Sequence, residues 1–122
     1  MKEEKRRFTR IPFRVKAELA ADGKVYGTDT IKNLSVGGCL LPLKEKLEPG
    51  TRCRVKIFLT GTNQETAVRV EGRILRSDST GTAVRFTHID PDSLFHLKGI
   101  VRFNAPDPEA VEEEINRHPV PL

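Results

Sequence analysis

The sequence predicts a mainly β domain: about six short antiparallel strands, arranged as a barrel or a sandwich, followed by one or two C-terminal helices. Three observations lead to this fold class. Apolar and polar residues alternate over several short segments, turn signals containing glycine or proline separate these segments, and helical spacing appears only after residue 90. The 122 residues, of which 37% are hydrophobic, suffice for one domain with one modest core.

The first two predicted strands form a hairpin. Residues 13–19 alternate apolar and polar side chains, and residues 25–34 are interpreted as the return strand. Asp22-Gly23 lies between them and is a strong signal for a tight hairpin turn. Pro12 disfavours helical backbone just before it, so the preceding residues should enter the first strand in an extended conformation.

Four further strands are predicted from the same alternation. They span 39–41, 52–59, 66–77 and 82–86. Turn or loop residues separate them at Gly37-Gly38, Pro49-Gly50, 60–64 and 78–81.

Two helices are expected after the last strand. Asp90-Pro91 is typical of a helix start, and Asn104 with Pro106 should end this helix. Its apolar residues follow at helical spacing: Leu94, Leu97 and Val101. Asp107-Pro108 should start a second, acidic helix that stops before His118-Pro119. We therefore expect a flexible arm over 1–11, a barrel with its helix over 12–103, and an acidic helical extension over 104–122.

Charge is distributed unevenly along the chain. The formal net charge is +4, but residues 1–16 hold seven basic residues against two acidic ones, whereas residues 107–122 hold five acidic residues against one basic. The basic end should attract an anion, and the acidic end should aid solubility or contact a protein partner.

Catalytic, metal-binding and membrane-spanning functions are not expected. Residues 33–37 resemble a nucleophile elbow but lack its first glycine, and no phosphate-loop or zinc-protease motif is present. Cys39 and Cys53 are interpreted as reduced, buried thiols. The apolar runs are too short to span a membrane, and the charged first residues lack the pattern of a secretory signal, so a cytoplasmic location is expected.

Two polar signatures together predict a binding site for a phosphate-bearing guanine ligand. The first is Arg6-Arg7-Phe8-Thr9-Arg10, and the second is Asn33-Leu34-Ser35-Val36-Gly37-Gly38. The planar donors of arginine suit phosphate oxygens and the O6/N7 edge of guanine, while Asn and Ser add neutral hydrogen-bonding groups. Because the predicted hairpin folds the end of its second strand back to residues 10–14, both signatures should lie close together.

These signatures resemble those of PilZ domains, bacterial receptors for cyclic di-GMP. Arg6-x-x-x-Arg10 precedes Asn33-x-Ser35-x-x-Gly38 in the order and spacing of the family, and residues 82–86 are similar to the Gly-Val-Arg-Phe stretch near the end of its barrel. The resemblance covers roughly residues 5–103. It implies a six-stranded barrel with a C-terminal helix, and an arm that wraps over a ligand on the barrel surface.

The resemblance also implies a role for each candidate ligand-binding residue. Arg6 and Arg10 would hold phosphates and guanine edges, with Arg7 assisting. Asn33, where the family more often has Asp, and Ser35 would hydrogen-bond guanine. Gly38 would keep the backbone clear of the ligand. Arg76 would stack on a base where some members of the family place a large aromatic residue.

The function that the resemblance implies is a cyclic di-GMP sensor or adaptor without enzymatic activity. Ligand would order the arm, and an unidentified protein partner would read that change; neither a cofactor, DNA binding nor membrane insertion is expected. Two alternatives stay open. One is a small basic barrel that binds RNA or single-stranded DNA, which the low aromatic content of 6% disfavours. The other is a ligand-free protein-docking adaptor. The number of ligands bound also stays open.

Overall fold

The structure, a computed structural model, describes residues 8–59 and 67–117. Within these ranges the chain forms eight strands and two helices. The strands are β1 (Ile11–Phe13), β2 (Ala17–Ala21), β3 (Lys24–Thr28), β4 (Ile31–Leu34), β5 (Gly38–Leu41), β6 (Arg52–Phe58), β7 (Ala67–Asp78) and β8 (Gly81–Ile89). The helices are α1 (Pro91–Asn104) and α2 (Pro108–Arg117). The predicted loop at 60–64 lies within the undescribed residues 60–66.

All eight strands belong to one antiparallel sheet in the order β1-β4-β5-β8-β7-β6-β2-β3. The strands at the two ends of this order do not pair with each other, so the barrel is not closed by hydrogen bonds. Short connections from β1 to β2 and from β3 to β4 nevertheless join the two ends of the sheet and roll it around a common core. The predicted mainly β, antiparallel fold with C-terminal helices is confirmed.

The strand count differs from the prediction because both strands of the first hairpin break in the middle. The turn at Asp22-Gly23 has the expected positive φ angles of 53° and 78°, and β2 pairs with β3 around it. Beyond the breaks, β1 and β4 pair with each other at the opposite end of the sheet. The first broken strand buries apolar side chains from both halves, including Ile11 of β1 and Leu19 of β2. In the second, β4 buries Ile31 and Leu34, whereas β3 has no buried residue.

The core lies inside the rolled sheet and under α1. Alternation along β6 and β7 buries one face of each strand, as predicted, including Val68, Val70 and Ile74. Cys39 and Cys53 are both buried and form no disulfide, which confirms their interpretation as buried thiols. Burial raises the pKa of Cys53 to about 11 and raises that of Cys39 further, so neither is a reactive thiolate at neutral pH.

Both predicted helices form where expected. Asp90 caps α1, because its carboxylate accepts a hydrogen bond of 2.7 Å from the backbone N–H of Ser93. The predicted apolar residues Leu94, Leu97 and Val101 are the side chains that α1 buries together with Ser93. Helix α2 packs on α1 and buries Val111. The predicted stop at His118-Pro119 lies outside the described residues. Neither α1 nor α2 is long and apolar enough to cross a membrane.

Candidate functional site

The pairing of β1 with β4 brings the two polar signatures together. Ile11 lies opposite Leu34 in antiparallel register, so Arg10 precedes β1 at the level where the chain leaves β4. The connection between β4 and β5, Ser35–Gly37, therefore faces the basic segment directly. This is the proximity expected from the sequence, although the pair that produces it is a separate two-strand unit rather than the far end of one long hairpin.

The described part of the arginine-bearing segment is held on the domain at three points. The ring of Phe8 lies on Gly37, where a methyl group would come within 2.9 Å of the Cδ2 atom of the ring. Glu114 of α2 accepts hydrogen bonds from Thr9, at 2.7 Å from its backbone N–H and at 2.8 Å from its hydroxyl. Ile11 belongs to β1 and is buried. Residues 8–11 of the arm that was predicted to be flexible therefore contact the domain, and the flexibility of the arm stays a prediction.

The remaining arginines of that segment, Arg6 and Arg7, lie outside the described residues, and their predicted contacts stay predictions. Arg10 is described and its side chain is exposed.

Ser35 organises the loop between β4 and β5. Its hydroxyl oxygen accepts hydrogen bonds from the backbone N–H groups of Gly37 and Gly38, both at 3.1 Å, and the hydroxyl donates to the carbonyl of Gly38 at 3.3 Å. The Ser35 backbone N–H bonds the same carbonyl at 2.9 Å. One donor and two acceptor positions exhaust the hydrogen-bonding capacity of a hydroxyl. Ser35 is also buried, so this geometry favours loop stabilisation over a direct contact with guanine.

Gly38 is required by the packing of β5 against β8. A Cβ atom at this position would lie 2.3 Å from the backbone carbonyl oxygen of Val84, well inside any normal contact. This steric demand comes from the sheet and needs no ligand. Strand packing alone therefore explains why glycine is required at position 38. The predicted role of keeping the backbone clear of the ligand stays a prediction.

Asn33 begins a row of outward-facing side chains that crosses four strands. Register places Asn33 opposite Leu40, Leu40 opposite Ala83, and Ala83 opposite Arg76. With neighbouring strands about 4.8 Å apart, the row spans about 14 Å. Leu40 and Ala83 are half-buried and form an apolar floor between the two polar ends. The side-chain amide of Asn33 makes no hydrogen bond to another described residue, which leaves its donors and acceptor for a ligand.

Arg76 lies at the far end of this row and already has partners. Its guanidinium donates to the carboxylate of Asp78 at 2.8 Å and to the hydroxyl of Thr80 at 3.2 Å. Hydrogen bonds from the hydroxyl and backbone N–H of Thr80, with a smaller effect of Arg76, lower the pKa of Asp78 to about 2. The guanidinium of Arg76 is therefore held at the end of the row by Asp78 and Thr80. Its stacking on a base stays a prediction.

A second outward-facing row, which the sequence reasoning did not identify, carries three arginines. Gly38 lies opposite Arg85, Arg85 opposite Arg73, and Arg73 opposite Arg52. Like charges directly opposite each other on a sheet are destabilising, so this row holds positive charge that an anion would relieve. Arg73 is partly fixed through a 2.8 Å hydrogen bond to the Gly50 carbonyl, whereas Arg85 bonds no other described residue. Alternation indicates that each arginine faces outward, but only the strand register shows that they form one row.

The candidate site is an open face of the sheet rather than a cavity. Two grooves of about 570 and 630 Å³ lie on the part of the sheet formed mainly by β2, β6, β7 and β8, and the second is lined in part by Arg52 and Arg73. The lining of neither includes Asn33, Ser35 or Gly38. The face around Asn33 instead offers an amide, an apolar floor and several guanidinium groups, which together suit a flat, anionic ligand lying on the surface.

Three solved structures have a similar fold. The PilZ domain of CeSA from a cellulose-synthesizing bacterium is 21% identical with a TM-score of 0.60, over 76% of this chain and 94% of that one. The PilZ domain of YcgR from Escherichia coli, solved with c-di-GMP, is 17% identical with a TM-score of 0.59, over 93% and 96%. The Bacillus subtilis inhibitor of motility, MotI/DgrA, is 16% identical with a TM-score of 0.60, over 94% of this chain but 52% of that one.

A search of curated protein sequences finds no match. The sequence pattern of the PilZ domain, however, matches residues 4–110, which is most of the 122-residue chain and includes both polar signatures. This chain therefore belongs to the PilZ domain family.

Proposed function

We propose that this protein is a non-enzymatic receptor for cyclic di-GMP. The observation that carries the proposal is the β1–β4 pairing, which seats an arginine-bearing segment beside an outward-facing asparagine at one end of an apolar floor. The c-di-GMP described for the YcgR PilZ domain supports this choice of ligand. A cyclic dinucleotide presents two phosphates and two flat bases, which match guanidinium donors and an apolar surface.

The residues divide into two groups by role. Arg10, with Arg6 and Arg7 ahead of it, binds phosphates and guanine edges, and Asn33 hydrogen-bonds a guanine. Ser35 and Gly38 act through the shape of the loop and the spacing of the strands rather than by direct contact. Arg76 reaches a base from the far end of the row: Asn33, Leu40, Ala83 and Arg76.

Signalling then depends on the surface that the bound ligand and the basic segment form together. Residues 8–11 already have partners on the domain, so any ordering by the ligand concerns residues 1–7, where Arg6 and Arg7 would close over the phosphates. A protein partner would recognise the combined surface. The proposal places the receptor in the cytoplasm and includes no DNA binding, membrane insertion or cofactor.

Titration calorimetry with cyclic di-GMP, cyclic di-AMP, GTP and a short RNA tests the proposal. Cyclic di-GMP should bind most tightly, because adenine presents an N6 amine where arginine needs the O6 acceptor of guanine. Equal affinity for the two cyclic dinucleotides would refute the guanine assignment. Tighter binding of RNA would favour the alternative in which the arginine row of β6, β7 and β8 binds nucleic acid.

A further inference from the structure

We infer that Glu114 of α2 is a positioning residue for ligand binding: it holds the arginine-bearing segment beside the β4–β5 loop before any ligand arrives. The inference rests on the proposed function for its ligand and extends it to a helix outside the polar signatures. It assigns a role to the acidic C-terminal segment, for which the sequence suggested only solubility or a partner contact.

The contact between Glu114 and the segment uses both carboxylate oxygens. Oε1 accepts from the Thr9 backbone N–H at 2.7 Å and Oε2 accepts from the Thr9 hydroxyl at 2.8 Å, across 105 residues of sequence. Hydrogen bonds to a carboxylate are shorter and stronger than neutral ones. Arg10 follows Thr9 directly, so a fixed Thr9 limits how far this arginine can move from the loop.

Helix α2, which carries Glu114, is anchored to the core by apolar side chains. Val111 is 1% exposed, and Ile115 packs against the core, so the helix is attached through the face next to Glu114. The other glutamates of α2, Glu109, Glu112 and Glu113, are exposed. Of the four, only Glu114 is half-buried and bonded to the segment, whereas Glu113 pairs with Arg117 on the solvent side at 3.5 Å.

The geometry favours positioning over competition with the ligand. Both oxygens of Glu114 are directed at Thr9, and the neighbouring Phe8 ring lies on Gly37, so the contact fixes the segment over the loop that the ligand would use. If the carboxylate instead competed with phosphates for the arginines, its removal would free them and raise affinity. The two roles therefore predict opposite signs for one substitution.

The test compares Glu114→Gln with Glu113→Gln, which makes the same change one residue away on the solvent side. Because Glu114→Gln removes the negative charge that strengthens both hydrogen bonds from Thr9, it should weaken cyclic di-GMP binding about tenfold, the equivalent of one charged hydrogen bond. Glu113→Gln should stay within about twofold. Thr9→Val should weaken binding and Thr9→Ser should not, and the combined loss in Thr9→Val with Glu114→Gln should be smaller than the sum of the two single losses, because both variants weaken the same contact.

Amide hydrogen exchange without ligand gives a readout that does not depend on the ligand assignment. The Thr9 amide should exchange faster in Glu114→Gln and remain protected in Glu113→Gln. Unchanged exchange, or faster exchange with unchanged or raised affinity, overturns the positioning role. If the unmodified protein fails to bind cyclic di-GMP while Glu114→Gln still exposes Thr9, the proposed function fails and the contact stands. If Glu114→Gln destabilises the fold, the affinities of Thr9→Val and Thr9→Ser for cyclic di-GMP decide instead whether the contact positions the segment, because these variants change only the Thr9 side of it.

Discussion

Two adjacent glycines allow the fold and the ligand site to be perturbed separately. In Gly38→Ala the new methyl group would meet the Val84 carbonyl oxygen at 2.3 Å, and that oxygen belongs to the backbone of β8. In Gly37→Ala the nearest atoms are ring carbons of Phe8 at 2.9 and 3.1 Å, which belong to a side chain that can rotate. We therefore expect Gly38→Ala to destabilise the domain and Gly37→Ala to disturb mainly the position of Phe8.

The size of the Gly38 effect follows from the movement it forces. Reaching even a tight 3.0 Å contact requires β5 and β8 to separate by about 0.7 Å. The 2.9 Å backbone hydrogen bond from the Phe86 N–H of β8 to the Gly37 carbonyl would then lengthen beyond useful range. Overpacking of this kind costs about 1–3 kcal/mol, the weakened bond adds up to about 1 kcal/mol, and the lower entropy of unfolded alanine offsets about 0.5 kcal/mol. The net loss is about 2 kcal/mol.

Thermal unfolding measures this loss directly. At this chain length about 3–5 °C of Tm corresponds to 1 kcal/mol, so Gly38→Ala should lower Tm by about 6–10 °C. Gly37→Ala should stay within about 2 °C and still weaken cyclic di-GMP binding several-fold through the displaced Phe8. A Gly38→Ala protein with unchanged Tm and lost binding would refute the packing argument and restore the sequence-based role of Gly38 in clearing space for the ligand.

Three further outcomes are expected. Arg10→Ala should cost about 1–3 kcal/mol of binding free energy and make the affinity less dependent on salt, whereas Asn33→Ala should weaken binding and leave the salt dependence of the affinity unchanged. The reason is that salt screens phosphate attraction more than neutral hydrogen bonds. Titrations at several salt concentrations check both. Arg85→Gln should weaken binding without lowering the ligand-free Tm, because it removes the like charge opposite Arg73. Asp78 has a lowered pKa of about 2, so its contribution to stability is present above about pH 4 and lost as pH falls toward 2; Asp78→Asn should show a smaller decline in unfolding free energy over that range.

Alternation and turn chemistry were sufficient to predict the longer strands, the Asp22-Gly23 turn and both helix starts, because those signals depend on neighbouring residues. The breaks within the first hairpin could not be predicted in this way. Alternation indicates which side chains face inward but not which strand lies alongside, and the breaks arise because the two halves pair at opposite ends of the sheet. The row formed by Arg52, Arg73 and Arg85 was missed for the same reason, since it exists only in the register of three strands.

The sequence predicted that the two polar signatures lie close together, but it did not distinguish the residues that shape the β4–β5 loop from those available to a ligand. Serine and glycine in a turn are equally compatible with binding a ligand and with building the turn, and only the hydrogen bonds of the Ser35 hydroxyl and the contact at Gly38 distinguish the two. The charge contrast between the basic start and the acidic end was visible in the sequence, yet nothing in it singled out Glu114 among its neighbours. That selection comes from the burial of Val111, which turns Glu114 toward Thr9 and exposes Glu113. In the proposed site the sequence signatures supply the groups that would contact the ligand, and the contact of α2 with Thr9 would position the segment that carries them.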